Sequence, residues 1–165
     1  EIYTLALHDA LPICTCYDNV DFAPLQLLLA FGMWNTIAVT SLLELFYTVS
    51  RFNEVIGTWN TAAVTTKDKM IHAAFSFFSF DQAIGAWNTV AVTTLLEMFY
   101  TVSCFNQAIG TWNTAAVTTK DKMFHSAFSF FSFDQAIGAW NTVAVTTTYE
   151  MFRDRMSTRL NSSNT

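Results

Sequence analysis

The strongest constraint on this chain is a phrase that occurs five times, Ile-Gly-x-Trp-Asn-Thr-x-x-Val-Thr, most complete at residues 109–118. All five glycines and all five tryptophans belong to it, and the tryptophans are separated alternately by 25 and 28 residues. The true period is therefore a pair of repeats, 53 residues long. Such a period is typical of proteins whose small repeats must stack, because no single repeat can bury its own apolar face.

The two ends of the chain differ in character from the repeats. Residues 1–13 and 154–165 resemble reading-frame translations of common sequencing adapters, with departures at Ala6, Met156 and Asn164. Segments of this kind are excluded from fold reasoning. We therefore expect a repeat fragment over residues 14–153, with a degenerate first repeat and no end caps; the alternative is that both ends are ordinary termini.

Charge and apolar patterning exclude several classes of partner. The net charge is −5, and the sequence has no basic stripe of the kind that neutralises nucleic-acid phosphates. We therefore expect no nucleic-acid partner. No run of about 18 apolar residues exists, so no membrane span is predicted in this fragment. Cys14, Cys16 and Cys104 lack the spacing of a zinc or redox pair and are interpreted as free thiols.

Each repeat predicts three consecutive pieces of local structure. Residues 105–109 alternate in the manner of a short strand, and Gly110 suits a sharp turn at positive φ. Thr94-Leu95-Leu96-Glu97 has the form of a capping box at the start of a helix, and residues 41–44 and 147–150 repeat it. Apolar residues then follow at helical spacing in one stripe, which predicts a short helix.

Stacked repeats would place like side chains in rows about 4.8 Å apart. We interpret the tryptophans as core-filling rather than as a sugar platform, and the asparagines as a structural ladder rather than as ligands. The two predicted ladders are Trp34, Trp59, Trp87, Trp112, Trp140 and Asn35, Asn60, Asn88, Asn113, Asn141.

The full pattern, Phe-Asn-Gln-x-Ile-Gly-x-Trp-Asn-Thr-x-x-Val-Thr-x-x-x-x-Met-Phe, extends over about residues 27–152. It resembles the bacterial surface protein 26-residue repeat, grouped with BspA-like leucine-rich-repeat surface proteins. The 28-residue repeats and the apolar stretch at residues 27–33 depart from that pattern. The resemblance implies a cell-surface or extracellular location and a role in adhesion or protein contact, and it brings no catalytic residues.

Together these patterns predict an α/β fold, an LRR-like solenoid of about five 25- or 28-residue coils. Each coil would contain a short parallel strand, a Gly-Trp-Asn-Thr turn and a short helix. The alternative fold is an all-strand β-helix. The capping boxes and helical stripes argue against it, and circular dichroism without a helical signal would favour it.

The polar residues do not predict an active site. Catalysis needs unlike groups that converge on one point, whereas Glu44, Glu97 and Glu150 recur two repeats apart. His72 and His125 are separated in the same way and have no second ligand at metal spacing. We therefore expect no enzyme activity, no metal and no cofactor.

The remaining functional hypotheses concern surfaces. One face of the predicted strands would present a row of Asx residues beside small apolar ones, which favours binding of a protein or cell-surface ligand. This candidate binding face consists of Asn53, Asp81, Asn106 and Asp134. The alternative is a passive spacer without a specific ligand, and ice or glycan binding is a weaker one. Unpaired edges of a fragment would also favour edge-to-edge self-association.

Overall fold

The chain forms a stack of five repeats with very little regular secondary structure. The computed structural model describes residues 31–47, 49, 52–73, 80–102, 104–126 and 133–153. Both adapter-like segments and Cys14 and Cys16 lie outside the described residues. We number the repeats 1 to 5; they span residues 27–51, 52–79, 80–104, 105–132 and 133–153.

The predicted α/β class is wrong. The described part of the chain contains one 3-10 helix, Phe31–Met33, and no α-helix. Its β structure consists of isolated bridge residues, among them Val102 and Ser126. Four parallel bridges link one Ser or Thr of each repeat to the next. These bridges are Ser41–Thr66, Thr66–Thr94, Thr94–Thr119 and Thr119–Thr147. The strand expected at residues 105–109 is likewise not formed.

The capping boxes do not start helices because their backbone groups bind the neighbouring repeat. Glu97 N–H donates to the carbonyl oxygen of Asp121 at 2.9 Å, and Phe99 N–H donates to that of Met123 at 2.9 Å. Glu97 also has a φ of 53°, whereas an α-helix requires about −63°. The apolar residues of the expected helix are therefore buried by consecutive turns. Alternate backbone N–H groups of these turns donate to carbonyl oxygens of the next repeat.

The five indoles lie in one row along the stack. The rings of Trp87 and Trp112 are tilted by 7° with centroids 6.4 Å apart, and Trp112 and Trp140 are tilted by 1° at 6.3 Å. Four of the indole N–H groups, those of Trp59, Trp87, Trp112 and Trp140, also donate to a carbonyl of the preceding repeat, as Trp112 does to Ile84 at 3.2 Å. The row thus combines apolar burial with a hydrogen bond that fixes the register of neighbouring repeats.

Phenylalanine rings form a second row beside the indoles. The rings of Phe80 and Phe105 stack at 6.0 Å, and Phe99 packs on Phe105 at 4.1 Å. All three side chains are fully buried. Together with the indoles they supply a large share of the apolar core that holds the stack together.

The asparagines and threonines of the phrase divide the polar bonding between them. Asn113 Oδ1 accepts a hydrogen bond from Ala115 N–H at 3.0 Å, which closes a turn inside one repeat. The other four asparagines make the same bond. The links between repeats come from threonine instead, since Thr89 Oγ1 donates to the Asn113 carbonyl at 3.0 Å.

Gly57, Gly85 and Gly110 are required by close approach rather than by a turn at positive φ. No described glycine has a positive φ. A Cβ atom at Gly85 would instead meet the carbonyl oxygen of Ala108 in the next repeat at well under 3.0 Å. The backbones of successive repeats can therefore pass at this point only when the side chain is absent.

We expect Trp112→Phe to destabilise the protein by about 2–3 kcal/mol, because the Ile84 carbonyl loses its donor and the core loses volume. The control is Trp34→Phe. Trp34 is only partly buried, and its indole donates no hydrogen bond within the described residues. Urea unfolding followed by circular dichroism measures both changes. Equal destabilisation by the two variants would contradict the assigned role of the indole N–H.

Candidate interaction surface

The repeats are of two types that alternate along the stack. Repeats 1, 3 and 5 carry a glutamate at the position where repeats 2 and 4 carry a lysine, and we call them Glu-type and Lys-type repeats. The alternating row is Glu44, Lys69, Glu97, Lys122 and Glu150. All five residues have a positive φ, which fixes them at the same point of a turn.

Opposite charges in this row pair across neighbouring repeats. Lys69 Nζ lies 3.6 Å from Glu44 Oε1, and Lys122 Nζ lies 3.9 Å from Glu97 Oε1. The lysine side chains are about one-third exposed, so each pair contributes little to the free energy of unfolding. The pairs instead favour alternation of the two repeat types, because two neighbouring repeats of the same type would place like charges together.

An aromatic row with alternating tyrosine and histidine runs beside the charges. The ring of His72 lies between those of Tyr47 and Tyr100, with centroids 4.6 Å from each. His125 continues the row at 4.7 Å from Tyr100. Each histidine Nε2 faces a glutamate of the following repeat, as His72 faces Glu97 Oε2 at 3.5 Å.

Burial favours the neutral form of both histidines. Both imidazoles are buried, and their Nδ1 atoms have no hydrogen-bond partner within the described residues. Burial lowers the pKa of His72, opposed by Glu97 and Glu44 and assisted by Lys69. Burial also lowers the pKa of His125, although Glu150 raises it. A proton on either ring would leave a buried Nδ1–H donor without an acceptor.

We expect His72→Phe to reduce the loss of stability on acidification. A histidine with a lowered pKa binds its proton more readily in the unfolded chain, so folding stability falls as the pH drops through 6.5 and below. Phenylalanine keeps the ring between Tyr47 and Tyr100 and removes the ionisation. Urea midpoints at pH 7.5 and 5 measure the difference. An unchanged pH dependence in the variant would contradict this role of His72.

Two lysines occupy core positions. Lys67 and Lys120 are at most 1 % exposed and stand where repeats 1 and 3 have Leu42 and Leu95. Their Nζ atoms have no hydrogen-bond partner within the described residues, and Lys67 Nζ lies 5.7 Å from the centre of the Trp87 ring. Burial lowers the pKa of Lys67 to about 7 and also lowers that of Lys120.

The sequence indicates these buried lysines and histidines through a difference between the two repeat types, which the repeat consensus does not contain. Among the described residues, every buried side-chain nitrogen without a hydrogen-bond partner belongs to the stretch Lys-Asp-Lys-Met-x-His of a Lys-type repeat. Comparing the two repeat types position by position would have aligned each lysine with a buried leucine. The buried polar groups can therefore be found from the differences between Lys-type and Glu-type repeats, rather than from the pattern that all repeats share.

The predicted binding face forms a ladder along one side of the stack. Asn53 Oδ1 accepts from Asp81 N–H at 2.9 Å, Asp81 Oδ1 from Asn106 N–H at 2.9 Å, and Asn106 Oδ1 from Asp134 N–H at 2.8 Å. Gln107 Nε2 adds a bond to Asp81 Oδ1 at 3.0 Å. The structure brings the four residues together in one row, and three of them are exposed.

A row of small side chains accompanies the ladder two residues further along each repeat. Val55 is 58 % exposed, and Ala83, Ala108 and Ala136 are exposed as well. We call the ladder and this row together the Asx face. The side chains of Asn53, Asp81 and Asn106 are held by hydrogen bonds between repeats, so a ligand would meet ordered polar groups.

The described residues offer no metal site and no spanning helix. No three His, Cys, Asp or Glu side chains in the described ranges are grouped closely enough to hold a metal ion. Over the same part of the chain, no helix has the length and apolar character needed to cross a membrane. Cys104 is exposed.

Comparison with known proteins gives a family without an activity. No curated protein and no solved structure has significant similarity to the chain. The sequence profile of one family matches it twice, over residues 19–131 and 73–165, so that the two matches overlap in the central repeats. That family is described as a Mycoplasma protein of unknown function, DUF285. Because the matched segments cover far more than half of the sequence, the chain belongs to the DUF285 family.

Proposed function

We propose that this chain is a non-catalytic repeat scaffold of a surface protein, which binds a protein or cell-surface ligand through the Asx face. The observation that carries the proposal is the row of Asx side chains, in which Asn53, Asp81 and Asn106 each accept a hydrogen bond from the next repeat, beside a row of exposed small side chains. A surface whose side chains are already ordered loses little conformational entropy on binding.

The arrangement of polar groups supports binding over catalysis. Like groups recur in rows along the stack, whereas general acid–base chemistry requires unlike groups at one point. His72 and Glu97 do meet, but the imidazole is buried between two tyrosine rings and is closed to a substrate. The resemblance to the 26-residue surface repeat supports the proposed location at the cell surface.

The Asx face fits a ligand that donates hydrogen bonds and presents a shallow surface. Asp81 and Asp134 add negative charge beside the small side chains of Ala83 and Ala136. An extended peptide that carries amide or cationic donors matches this combination, because its donors can meet a carboxylate at every second repeat and an amide oxygen at the repeats between. Affinity would then increase with the number of repeats that the peptide contacts.

The test uses a phage-displayed library of random peptides as the probe, selected on the immobilised full chain. Ala108→Arg places a bulky cation on the Asx face without removing a ladder bond. Ala115→Arg is the matched control, since Ala115 is also exposed but belongs to a turn in the tryptophan phrase. Replacing Asp81 would be less clean, because its carboxylate holds Asn106 and Gln107.

We expect selected peptides to lose at least tenfold in affinity for Ala108→Arg and to bind Ala115→Arg as they bind the unmodified chain. Circular dichroism checks that both variants keep the fold. Peptides that bind all three proteins equally would overturn the Asx face as the binding surface. Failure to select any peptide would favour the passive spacer, in which the repeats only set a length.

A further inference from the structure

The contacts between successive repeats are of two kinds, and we call each such contact a junction. At junctions 1/2 and 3/4 a Glu-type repeat precedes a Lys-type repeat, and the partly exposed pairs Lys69–Glu44 and Lys122–Glu97 join them. At junctions 2/3 and 4/5 a Lys-type repeat comes first. The buried basic groups of the protein face junctions of this second kind.

The first of these groups is the lysine in the core. Lys67 Nζ lies over the ring of Trp87, which belongs to repeat 3, and has no hydrogen-bond partner within the described residues. Lys120 Nζ lies over Trp140 of repeat 5 in the same way, at 5.9 Å. Repeats 1 and 3 have a buried leucine at this position. A buried ammonium group without an anionic partner costs free energy, which water recovers when the junction opens.

The second group is a histidine. The ring of His72 stacks on Tyr100 of repeat 3, and its Nε2 faces Glu97 of that repeat. Burial lowers the pKa of His72, opposed by Glu97 and by Glu44 of repeat 1 and assisted by Lys69 of its own repeat. Because burial outweighs the two carboxylates, a proton on the ring disfavours the closed junction.

Junction 4/5 repeats this arrangement. His125 Nε2 lies 3.6 Å from Glu150 of repeat 5. Burial lowers the pKa of His125, opposed by Glu150 and assisted by Arg153 and Lys122. The same two kinds of buried basic group therefore occur at both junctions that follow a Lys-type repeat.

A carboxyl group at junction 2/3 acts in the opposite direction. Asp68 Oδ1 accepts hydrogen bonds from the Thr94 hydroxyl at 2.7 Å and from Leu96 N–H at 2.9 Å, both in repeat 3. Burial raises the pKa of Asp68 from 3.8, opposed by these bonds, by Thr66 and by Lys69. Protonation of Asp68 at lower pH therefore favours the closed junction, so the basic groups are best tested at pH 6 and above.

We infer that junctions 2/3 and 4/5 open locally and reversibly as the pH falls from 8 to 6, whereas junctions 1/2 and 3/4 stay closed. The units that remain are pairs of a Glu-type and a Lys-type repeat, residues 27–79 and 80–132. The 53-residue period of the sequence is then also the unit of opening.

Opening of junction 2/3 would interrupt the Asx face. The bond from Asp81 N–H to Asn53 Oδ1 crosses this junction and would break, whereas the bond from Asn106 N–H to Asp81 Oδ1 lies within the second unit and would remain. Acidity would thus set the length of the continuous ladder, whether or not the Asx face binds a ligand.

Hydrogen–deuterium exchange of the full chain, followed by NMR at pH 8 and pH 6, measures the opening of each junction separately. The N–H groups of Ile71 and Ala73 donate across junction 2/3, those of Phe99 and Thr101 across junction 3/4, and that of Phe124 across junction 4/5. Each rate is compared with that of an unstructured peptide at the same pH, because amide exchange is itself base-catalysed.

We expect the protection of the two amides at junction 2/3 to fall at least tenfold from pH 8 to pH 6. Burial lowers the pKa of Lys67 from 10.5 to about 7, which alone accounts for about tenfold over this range. The two amides at junction 3/4 should change less than threefold. Equal loss of protection at both junctions would overturn the inference, because it would indicate unfolding of the whole stack.

The matched variant combines Lys67→Leu with His72→Phe, which keeps an apolar and an aromatic side chain at the two positions. Circular dichroism checks that it keeps the fold. Junction 2/3 should lose its pH dependence in this variant, whereas the Phe124 amide at junction 4/5 should keep its own. A pH dependence at junction 2/3 that survives both substitutions would overturn the role of Lys67 and His72.

Discussion

Gly85→Ala is expected to destabilise the protein by about 3 kcal/mol or more, the upper end of the cost of overpacking a core. The added Cβ would lie well under 3.0 Å from the backbone carbonyl oxygen of Ala108. A backbone atom cannot rotate away as a side chain can, so repeats 3 and 4 must separate. That separation would also disturb the Trp87–Trp112 contact and the indole hydrogen bond to Ile84.

Gly138→Ala is the matched control, and it should act in the opposite direction. Nothing lies within 4 Å of a Cβ at this position. Alanine restricts the unfolded chain more than glycine does, so a stabilisation of about 0.4–1 kcal/mol is expected. Urea unfolding of both variants, monitored by tryptophan fluorescence, gives the two changes. Similar effects at Gly85 and Gly138 would show that close approach of the repeats is not the reason why glycine recurs at this position of each repeat.

Lys67→Leu is expected to stabilise the protein by about 2–4 kcal/mol at pH 7, through removal of a buried ammonium group that has no partner. Leu42 and Leu95 occupy the equivalent core positions in the neighbouring repeats, so the site accepts leucine in shape. The ordinary pKa of 10.5 and the folded value of about 7 correspond to about 4 kcal/mol at that pH.

The pH dependence of this effect has a definite sign. Between pH 7 and 10.5 the unfolded chain holds the Lys67 proton more tightly than the folded chain, so the stability of the unmodified protein rises with pH. Lys67→Leu should remove the part of that rise that Lys67 contributes, while Lys120 keeps its own part, and it should bring its largest gain at pH 7 and below. Above pH 10.5 the lysine is neutral in both states, and the difference should shrink to the packing term alone.

Lys69→Leu is the control for Lys67→Leu. Lys69 lies two residues away, is about one-third exposed and pairs with Glu44. We expect a change within about 1 kcal/mol. Urea titrations at pH 7, 9 and 10.5 compare the variants. A Lys67→Leu protein with unchanged stability and slope would mean that the ammonium group finds a partner.

Much of the stack follows from the sequence alone, and its residues show why. Trp87 and Trp112 recur at a fixed spacing, and a side chain of this size in every repeat can be buried only against its own copies. The parallel rings of these residues are the outcome. The Asx row of Asn53, Asp81, Asn106 and Asp134 could be placed on one side by the same reasoning, although its bonds could not.

The local backbone conformation could not be predicted from the sequence in the same way, and Glu97 shows the reason. Sequence favours a capped helix at residues 94–102, because capping and helical spacing describe how a segment bonds to itself. In the structure the N–H of Glu97 bonds to Asp121 of the next repeat, and a positive φ replaces the helical turn. Local rules cannot weigh a partner that lies 24 residues away in the chain.

The sequence by itself therefore determined the period, the rows of like side chains and the alternation of two repeat types. Only the tertiary structure decided which backbone groups bind across repeats, why glycine is needed at Gly85, and that Lys67 and His72 are buried. The physical reason is that the repeat period specifies which residues become neighbours, whereas distance and burial depend on how closely the backbones approach after stacking.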